Sequence, residues 1–132
     1  MIVVDASALA AFILKEEGWK DLSAYLAYAL SVDHVVKEVV NSIWKAVFLR
    51  KHMSESEAKA AYRLLMTMIG KNVVLVSEIG YLDRALEIAL EQGVTVYDAL
   101  YIALAKDKGV PLLTLDEKQR TIANKLGLTV KP

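Results

Sequence analysis

The sequence contains no cysteine, only two histidines and two prolines, and no long uncharged apolar run. Without cysteine the chain forms neither a disulfide framework nor a thiolate metal site, which suits the cytoplasm. No apolar stretch approaches the roughly 18 residues of a membrane span. Asp5 also stands where a signal peptide would carry basic residues. We therefore expect a cytoplasmic protein with no membrane segment.

Apolar residues are abundant, whereas the net charge is zero. Hydrophobic residues make up 55% of the 132 positions, more than one small domain hides in its interior. This surplus predicts an interface, so we expect a homodimer, a higher homo-oligomer or a complex with a partner protein. Because 16 basic residues balance 16 acidic ones, any binding of nucleic acid must depend on a local patch.

Short apolar segments alternate with helical patterns along the whole chain. Strands are predicted at Ile2 to Val4, around Leu30 to Val32, at Val73 to Val76, Val110 to Leu115 and Leu128 to Val130. Helices are predicted over Ser7 to Lys15, Trp19 to Leu30, Asp33 to about His52, from Ser54 onward, Glu78 to Gln92, Thr95 to Gly109, and Glu117 to Leu126. Such alternation is typical of a parallel sheet covered on both faces. The prediction is one three-layered α/β domain over residues 1–132.

Two of the predicted strands end in an acid. Asp5 follows Ile2 to Val4, and Asp116 follows the apolar residues that end at Leu115. In an open α/β sheet, functional groups collect at the carboxyl ends of the strands. If these two strands are neighbours, the two carboxylates lie at the same edge. Each acid alone could instead begin a turn by bonding its own backbone.

Two further acids lie on predicted helices. Asp98 falls in the first turn of a strongly apolar helix that Thr95 begins. The helix dipole there favours an ionised side chain, the form that a metal ligand takes. Glu38 belongs to a narrow polar stripe with apolar residues on both flanks, and the stripe continues through Asn41, Ser42 and Lys45. The alternatives are a capping residue for Asp98 and a solvated helix face for Glu38.

Carboxylates that converge on one point repel each other and raise each other's pKa. A hard divalent cation removes this conflict, and Mg²⁺ or Mn²⁺ prefers oxygen ligands. Such ions lower the pKa of a bound water and stabilise the attacking and leaving oxygens of a phosphodiester. Neither histidine is near these motifs in the predicted arrangement and cysteine is absent, which argues against zinc.

With these four acids in place, the chain resembles the PIN domain and, within it, the VapC toxins of type II toxin–antitoxin pairs. The resemblance covers the whole chain and rests on Val4-Asp5-Ala6-Ser7-Ala8-Leu9, Glu38-Val39-Val40-Asn41, Tyr97-Asp98-Ala99-Leu100-Tyr101 and Leu113-Thr114-Leu115-Asp116. It implies a three-layer α/β/α fold around a parallel five-stranded sheet. It also implies a Mg²⁺- or Mn²⁺-dependent endoribonuclease, homodimers, and a small VapB-like antitoxin that fills the active-site groove. The catalytic and metal-binding residues would be Asp5, Glu38, Asp98 and Asp116.

Further residues are expected to support these acids. Ser7, Asn41 and Thr114 match positions where family members place polar residues that orient the acids or nearby waters. Ser7 is also predicted to cap the first helix. Many relatives carry one more Asp after the last motif, and here only Glu117 could take that place. Lys45, on the polar stripe of the third helix, is the candidate RNA phosphate contact.

Three alternatives compete with the toxin interpretation. A signalling receiver requires an acidic pair after the first strand and a phosphoacceptor Asp ending the third, and this sequence has neither. A non-catalytic PIN-like binding module would keep the fold without the chemistry. A PIN-domain nuclease for RNA processing would keep both the fold and the chemistry without the toxin role, and the sequence does not separate it from a toxin.

Overall fold

The computed structural model describes all 132 residues as five strands and seven α-helices. The strands are β1 Ile2–Val4, β2 Ala29–Val32, β3 Val73–Val76, β4 Leu112–Leu113 and β5 Val130–Lys131. The helices are α1 Ala6–Ile13, α2 Ser23–Leu26, α3 His34–Phe48, α4 Glu55–Met68, α5 Leu82–Gln92, α6 Val96–Lys108 and α7 Glu117–Lys125. Short 3₁₀ segments, Trp19–Leu22 and Glu78–Tyr81, precede α2 and α5.

All five strands are parallel and pair in the order β3-β2-β1-β4-β5, which confirms the predicted sheet. The chain winds outward from β1 to β3 and then returns to the other side of β1 as β4. The winding therefore reverses between β1 and β4, which are paired with Val4 opposite Leu113. Ligands of open α/β sheets bind outside the carboxyl ends of the strands at such a reversal.

Helices flank the sheet and give the predicted α/β/α arrangement. Helix α6 is the most buried, with residues 99–105 all buried in the core. It packs on β1, β2 and β4, and α5 packs on its outer side. Helices α1, α3 and α4 pack against one another. A continuous core of 35 buried residues joins these elements, so the strand ends are held by rigid packing.

The largest error in the predicted elements concerns Trp19 to Leu30. The helical pattern is real but α2 ends at Leu26, and Ala29 and Leu30 belong to β2. All four residues of β2 are buried, and they pair with β1 on one side and β3 on the other. This pairing of β2 with two neighbours overrides the local helical preference.

The strands after residue 109 are shorter than predicted or displaced. Strand β4 comprises two residues, because the chain turns away at Leu115, whose backbone N–H donates to Ser7 Oγ at 2.9 Å. Strand β5 was predicted at Leu128 to Val130, but it begins two residues later, at Val130, and ends one residue later, at Lys131.

Helix caps follow the predictions in one case and depart from them in another. Ser54 and Glu57 form the capping box of α4, with reciprocal bonds of 3.1 and 3.0 Å. Asp33 occupies the N-cap position of α3, but its carboxylate accepts from the backbone N–H of Glu78 and leaves α3 uncapped by a side chain. No single helix is long and apolar enough to cross a membrane; Glu78–Gln92 with Val96–Lys108 qualifies only as a pair, bent by 116°.

Candidate active site

A cleft of about 560 Å³ opens outside the carboxyl ends of β1 and β4. All four acids predicted as catalytic residues line it, although they come from four separate segments of the chain. These acids are Asp5, Glu38, Asp98 and Asp116. The structure therefore brings the predicted quartet to one place, at the point where the winding of the sheet reverses.

Asp5 is the most enclosed of the four, with only 4% of its surface exposed. It is the N-cap of α1, and its Oδ1 accepts from the backbone N–H of Ala8 at 3.1 Å. The same oxygen accepts from Ser7 Oγ at 2.6 Å, while Oδ2 accepts from Thr114 Oγ1 at 2.5 Å. The prediction that Ser7 caps α1 is wrong: Asp5 is the cap, and the Ser7 hydroxyl binds its carboxylate.

Burial raises the pKa of Asp5 to about 6 from an ordinary value of 3.8, because a charge in this position loses its hydration. The hydrogen bonds from Ser7, Thr114 and Ala8 oppose this rise but do not cancel it, and the charge of Asp116 adds to it. The carboxylate is therefore well ordered but costly to ionise. A cation nearby would relieve that cost.

Thr114 connects the first and last acids of the quartet. Its buried Oγ1 donates to Asp5 and accepts from the backbone N–H of Asp116 at 3.1 Å. Asp116 is the N-cap of α7, and one of its oxygens accepts from the backbone N–H of Gln119 at 2.9 Å. The loop between β4 and α7 is thus fixed to the start of α1 by hydroxyl groups.

Asp98 lies in the first turn of α6, below the Thr95 cap. Burial and the charges of Asp116 and Glu38 raise the pKa of its carboxyl group. Gln119, which the sequence analysis did not select, is 2% exposed and donates from Nε2 to the backbone carbonyl of Asp98 at 2.9 Å. Gln119 therefore joins the backbone at Asp98 to the start of the helix that Asp116 caps.

Two side chains that were not predicted as site residues lie against Glu38, and one of them holds it by a hydrogen bond. Tyr101, 1% exposed, donates its hydroxyl to Glu38 Oε1 at 2.5 Å. Burial and the Glu38 charge raise the pKa of this phenol, so it remains a protonated donor. His34 Nε2 lies 3.0 Å from the same oxygen without hydrogen-bond alignment, and its ring stacks on Tyr97 at 4.7 Å.

The expectation that no histidine is near the acids is therefore wrong. The signal for His34 was its spacing of four residues before Glu38, which places both side chains on one face of a helix. The hydroxyl of Tyr101 carried no comparable signal, because its position within an apolar run is equally typical of a core residue.

The remaining predicted residues divide between the cleft and its surroundings. Asn41 and Lys45 line the cleft, although neither bonds to any of the four acids. Glu117 does not line it: its side chain is 85% exposed and lies 3.5 Å from Arg120 Nε. The geometry thus gives Glu117 no place beside the quartet.

The chemistry of these donors fits a hard divalent cation, because all four are carboxylates and two of them have raised pKa values. As the side chains stand, no three acidic or histidine residues are close enough together to hold a metal ion. The structure therefore presents the ligand atoms around a common cleft and not a completed coordination shell.

Comparisons with known proteins agree with the fold and the cleft. The family model described as the PIN domain matches residues 2–125. The chain is 37% identical over 134 residues to ribonuclease VapC3 of Pyrobaculum aerophilum, covering 99% of this chain and 98% of that protein. It is 32% identical to exonuclease VapC9 of the same organism over 88% of this chain and 80% of the relative.

Among solved structures, VapC20 of Mycobacterium tuberculosis, titled a Sarcin-Ricin loop cleaving toxin, has a TM-score of 0.70 to this chain. The two share 20% sequence identity over the full length of both chains, so this likeness concerns the fold. The family match over residues 2–125, the near full-length relative and the parallel sheet agree. The chain belongs to the PIN domain family.

Proposed function

We propose that this protein is a metal-dependent endoribonuclease that hydrolyses RNA phosphodiester bonds as the toxin of a toxin–antitoxin pair. The observation that carries the proposal is the meeting of Asp5, Glu38, Asp98 and Asp116 in one cleft at the winding reversal of the sheet. Membership of the PIN domain family and the likeness to a ribonuclease over nearly the whole chain support it.

The proposed cofactor is Mg²⁺ or Mn²⁺, which those four carboxylates would hold. When bound, such an ion supplies an acidified water and neutralises charge on the phosphate. Neighbouring hydroxyl groups orient two of these acids: Ser7 and Thr114 fix Asp5, and Tyr101 fixes Glu38. These contacts keep the oxygens ordered in a cleft where the carboxylates repel each other.

Asp98 is the acid best suited to accept a proton from the attacking water. Thr95 is the one side chain whose hydrogen bond stabilises its charged form, whereas three donors occupy the two oxygens of Asp5. Its pKa is raised by burial and by the charges of Asp116 and Glu38, which makes its carboxylate a stronger base than that of an exposed aspartate.

The test is cleavage of RNA by purified protein, freed of any inhibitor, with Mg²⁺ or Mn²⁺ present. Asp98→Asn should lower the rate at least about 100-fold, because it removes a proton acceptor and a carboxylate ligand. Asp107→Asn is the matched control, since Asp107 lies on the same helix but bonds Tyr81 away from the cleft. Folded wild type that cuts no RNA with either ion would overturn the proposal.

A second candidate, exonuclease activity, is favoured by the relative that is named an exonuclease. A circular RNA separates the two, because an endonuclease linearises it and an exonuclease has no end to attack. Cleavage of linear RNA with no attack on the circle would replace the endonuclease assignment.

The proposed partners are RNA, a VapB-like antitoxin and a second copy of the chain, within the cytoplasm. Large apolar side chains on the outer faces of α3 and α4 support a protein partner, since they include the exposed Trp44, Phe48, Tyr62 and Met66. Growth arrest on expression, reversed by a co-expressed antitoxin, would support the toxin role. A nuclease that cuts RNA without arresting growth would instead fit RNA processing, and inactive protein would fit a binding module.

A further inference from the structure

The cleft continues beyond the acid quartet as a groove between α1 and α3. The residues that line the groove lie along α1 and the segment just after it. On the other side they lie along α3 from Glu38 and in the segment after the end of α3. Glu38 and Lys45 are seven residues apart on α3, which corresponds to about 10 Å along the helix axis. The groove is therefore long enough to hold a stretch of an RNA strand on one side of the phosphate that reacts.

The two ends of this groove differ in charge. The quartet lies at one end, whereas the only cations that line the groove, Lys45 and Arg50, lie at the other with Glu16. A polyanionic strand is repelled by the quartet unless a metal ion is bound there. Within the groove, the protein groups that attract such a strand are these two cations.

Arg50 is engaged in this structure, because its Nη1 lies 3.8 Å from Glu16 Oε1. The two side chains are 51% and 47% exposed. An exposed pair at this distance contributes little to stability and is readily exchanged for another partner. A phosphate offers arginine a planar, bidentate partner that competes well with one distant carboxylate oxygen.

We propose that Lys45 and Arg50 form a phosphate subsite for single-stranded RNA next to the scissile bond, and that Glu16 occupies Arg50 until RNA replaces it. This inference rests on the proposed ribonuclease function. It adds Arg50 as a substrate contact and Glu16 as a competitor that weakens binding by the free enzyme.

The test measures binding of a fluorescently labelled single-stranded RNA by anisotropy in an Asp98→Asn background, which should cut the RNA at least about 100-fold more slowly than wild type. Mg²⁺ is held constant and KCl is varied. Arg50→Gln should weaken binding and reduce the slope of log affinity against log salt by about 0.7, the contribution of one phosphate contact. Glu16→Gln should tighten binding about two- to five-fold, the range expected for an exposed ion pair.

Matched controls remove the same charges outside the groove. Glu17→Gln changes the adjacent exposed acid, and Arg63→Gln changes an exposed arginine on α4; neither residue lines the cleft. Both variants should bind RNA as the background protein does. Equal effects of Glu17→Gln and Glu16→Gln would mean that only net charge matters, which overturns the proposed competition.

The double variant Glu16→Gln with Arg50→Gln isolates the pair. If Glu16 acts through Arg50, its removal gives no gain once Arg50 is absent. A gain that persists in the double variant overturns the competition, and an unchanged affinity in Arg50→Gln overturns the subsite. Cleavage by wild type is scored separately, so either result leaves the ribonuclease function standing while this inference fails.

Discussion

Replacing Asp5 by asparagine should stabilise the metal-free protein at neutral pH, although it removes a residue proposed to be catalytic. The pKa of Asp5 is raised from 3.8 to about 6 in the folded chain, chiefly by burial. Each unit of difference between the folded and unfolded pKa corresponds to about 1.4 kcal/mol. Ionised Asp5 therefore lowers the free energy of unfolding by about 3 kcal/mol.

The direction in which the free energy of unfolding changes with pH depends on whether the folded or the unfolded chain holds the proton on Asp5. Between pH 3.8 and about 6 the folded chain keeps a proton on Asp5 that the unfolded chain releases. The contribution of Asp5 to the free energy of unfolding is therefore greatest below pH 3.8 and falls as the pH rises to about 6. Above that pH it is constant. Asparagine carries no charge to lose, so its advantage should vanish near pH 4 and reach about 2–3 kcal/mol at pH 7.5.

Asparagine also preserves the local contacts. It is as good an N-cap as aspartate, so the bond from Ala8 N–H is retained. Its carbonyl oxygen also accepts from Ser7, and its amide faces the Thr114 hydroxyl, which accepts as well as donates. The substitution therefore removes the charge and leaves both the oxygen and the nitrogen of the new side chain with a hydrogen-bond partner.

Urea unfolding followed by circular dichroism in EDTA, from pH 4 to pH 8, measures the effect. Asp21→Asn, at an exposed acid, is the control and should match wild type throughout. Adding Mn²⁺ should stabilise wild type more than Asp5→Asn, because only the former carries the charge that the ion relieves. Equal stability of Asp5→Asn and wild type at every pH would refute the account of a costly buried carboxylate.

Two further variants test other contacts. Tyr101→Phe should weaken Mn²⁺ binding about 10- to 100-fold in calorimetric titration, because Glu38 loses its orienting donor. Tyr81→Phe, which removes a similar tyrosine–carboxylate bond outside the cleft, should not, and equal losses would contradict the assignment. Ser54→Ala should lower the free energy of unfolding by about 1 kcal/mol through loss of the α4 cap while RNA cleavage is unchanged; a lost cleavage rate would contradict this separation.

The positions of Asp5 and Asp116 could be predicted because parallel strands share one direction. Two acids that follow two strands of one parallel sheet must lie at the same edge, and the pairing of β1 with β4 makes them neighbours. The roles of Asp98 and Glu38 were harder to predict, because on an isolated helix Asp98 could be a capping residue and Glu38 part of a solvated face. The narrow polar stripe of α3 made Glu38 a candidate and the start of α6 made Asp98 one, and the resemblance to the PIN domain joined both to the strand-end acids.

The supporting groups could not be predicted because their partners are distant in the sequence. Tyr101 bonds an acid 63 residues away, and in a helix buried on every side its hydroxyl leaves no trace in the hydrophobic pattern. Gln119 lies on a short, mostly polar helix, where a glutamine ordinarily faces solvent. The helix before β2 was predicted too long for a similar reason. The pairing of β2 with two other strands, which are distant in the sequence, determines where that helix ends.

The groups that hold the quartet share one property that explains its electrostatics. Hydroxyls of Ser7 and Thr114 hold Asp5, the phenol of Tyr101 holds Glu38, and a backbone amide holds Asp116. Uncharged donors fix the oxygens without neutralising them, and no lysine or arginine forms an ion pair with any of the four. An arginine here would stabilise the metal-free fold by lowering the pKa of these acids. It would also compete with a divalent ion for the same charge, so the instability of the metal-free cleft and its proposed affinity for a divalent cation have the same cause.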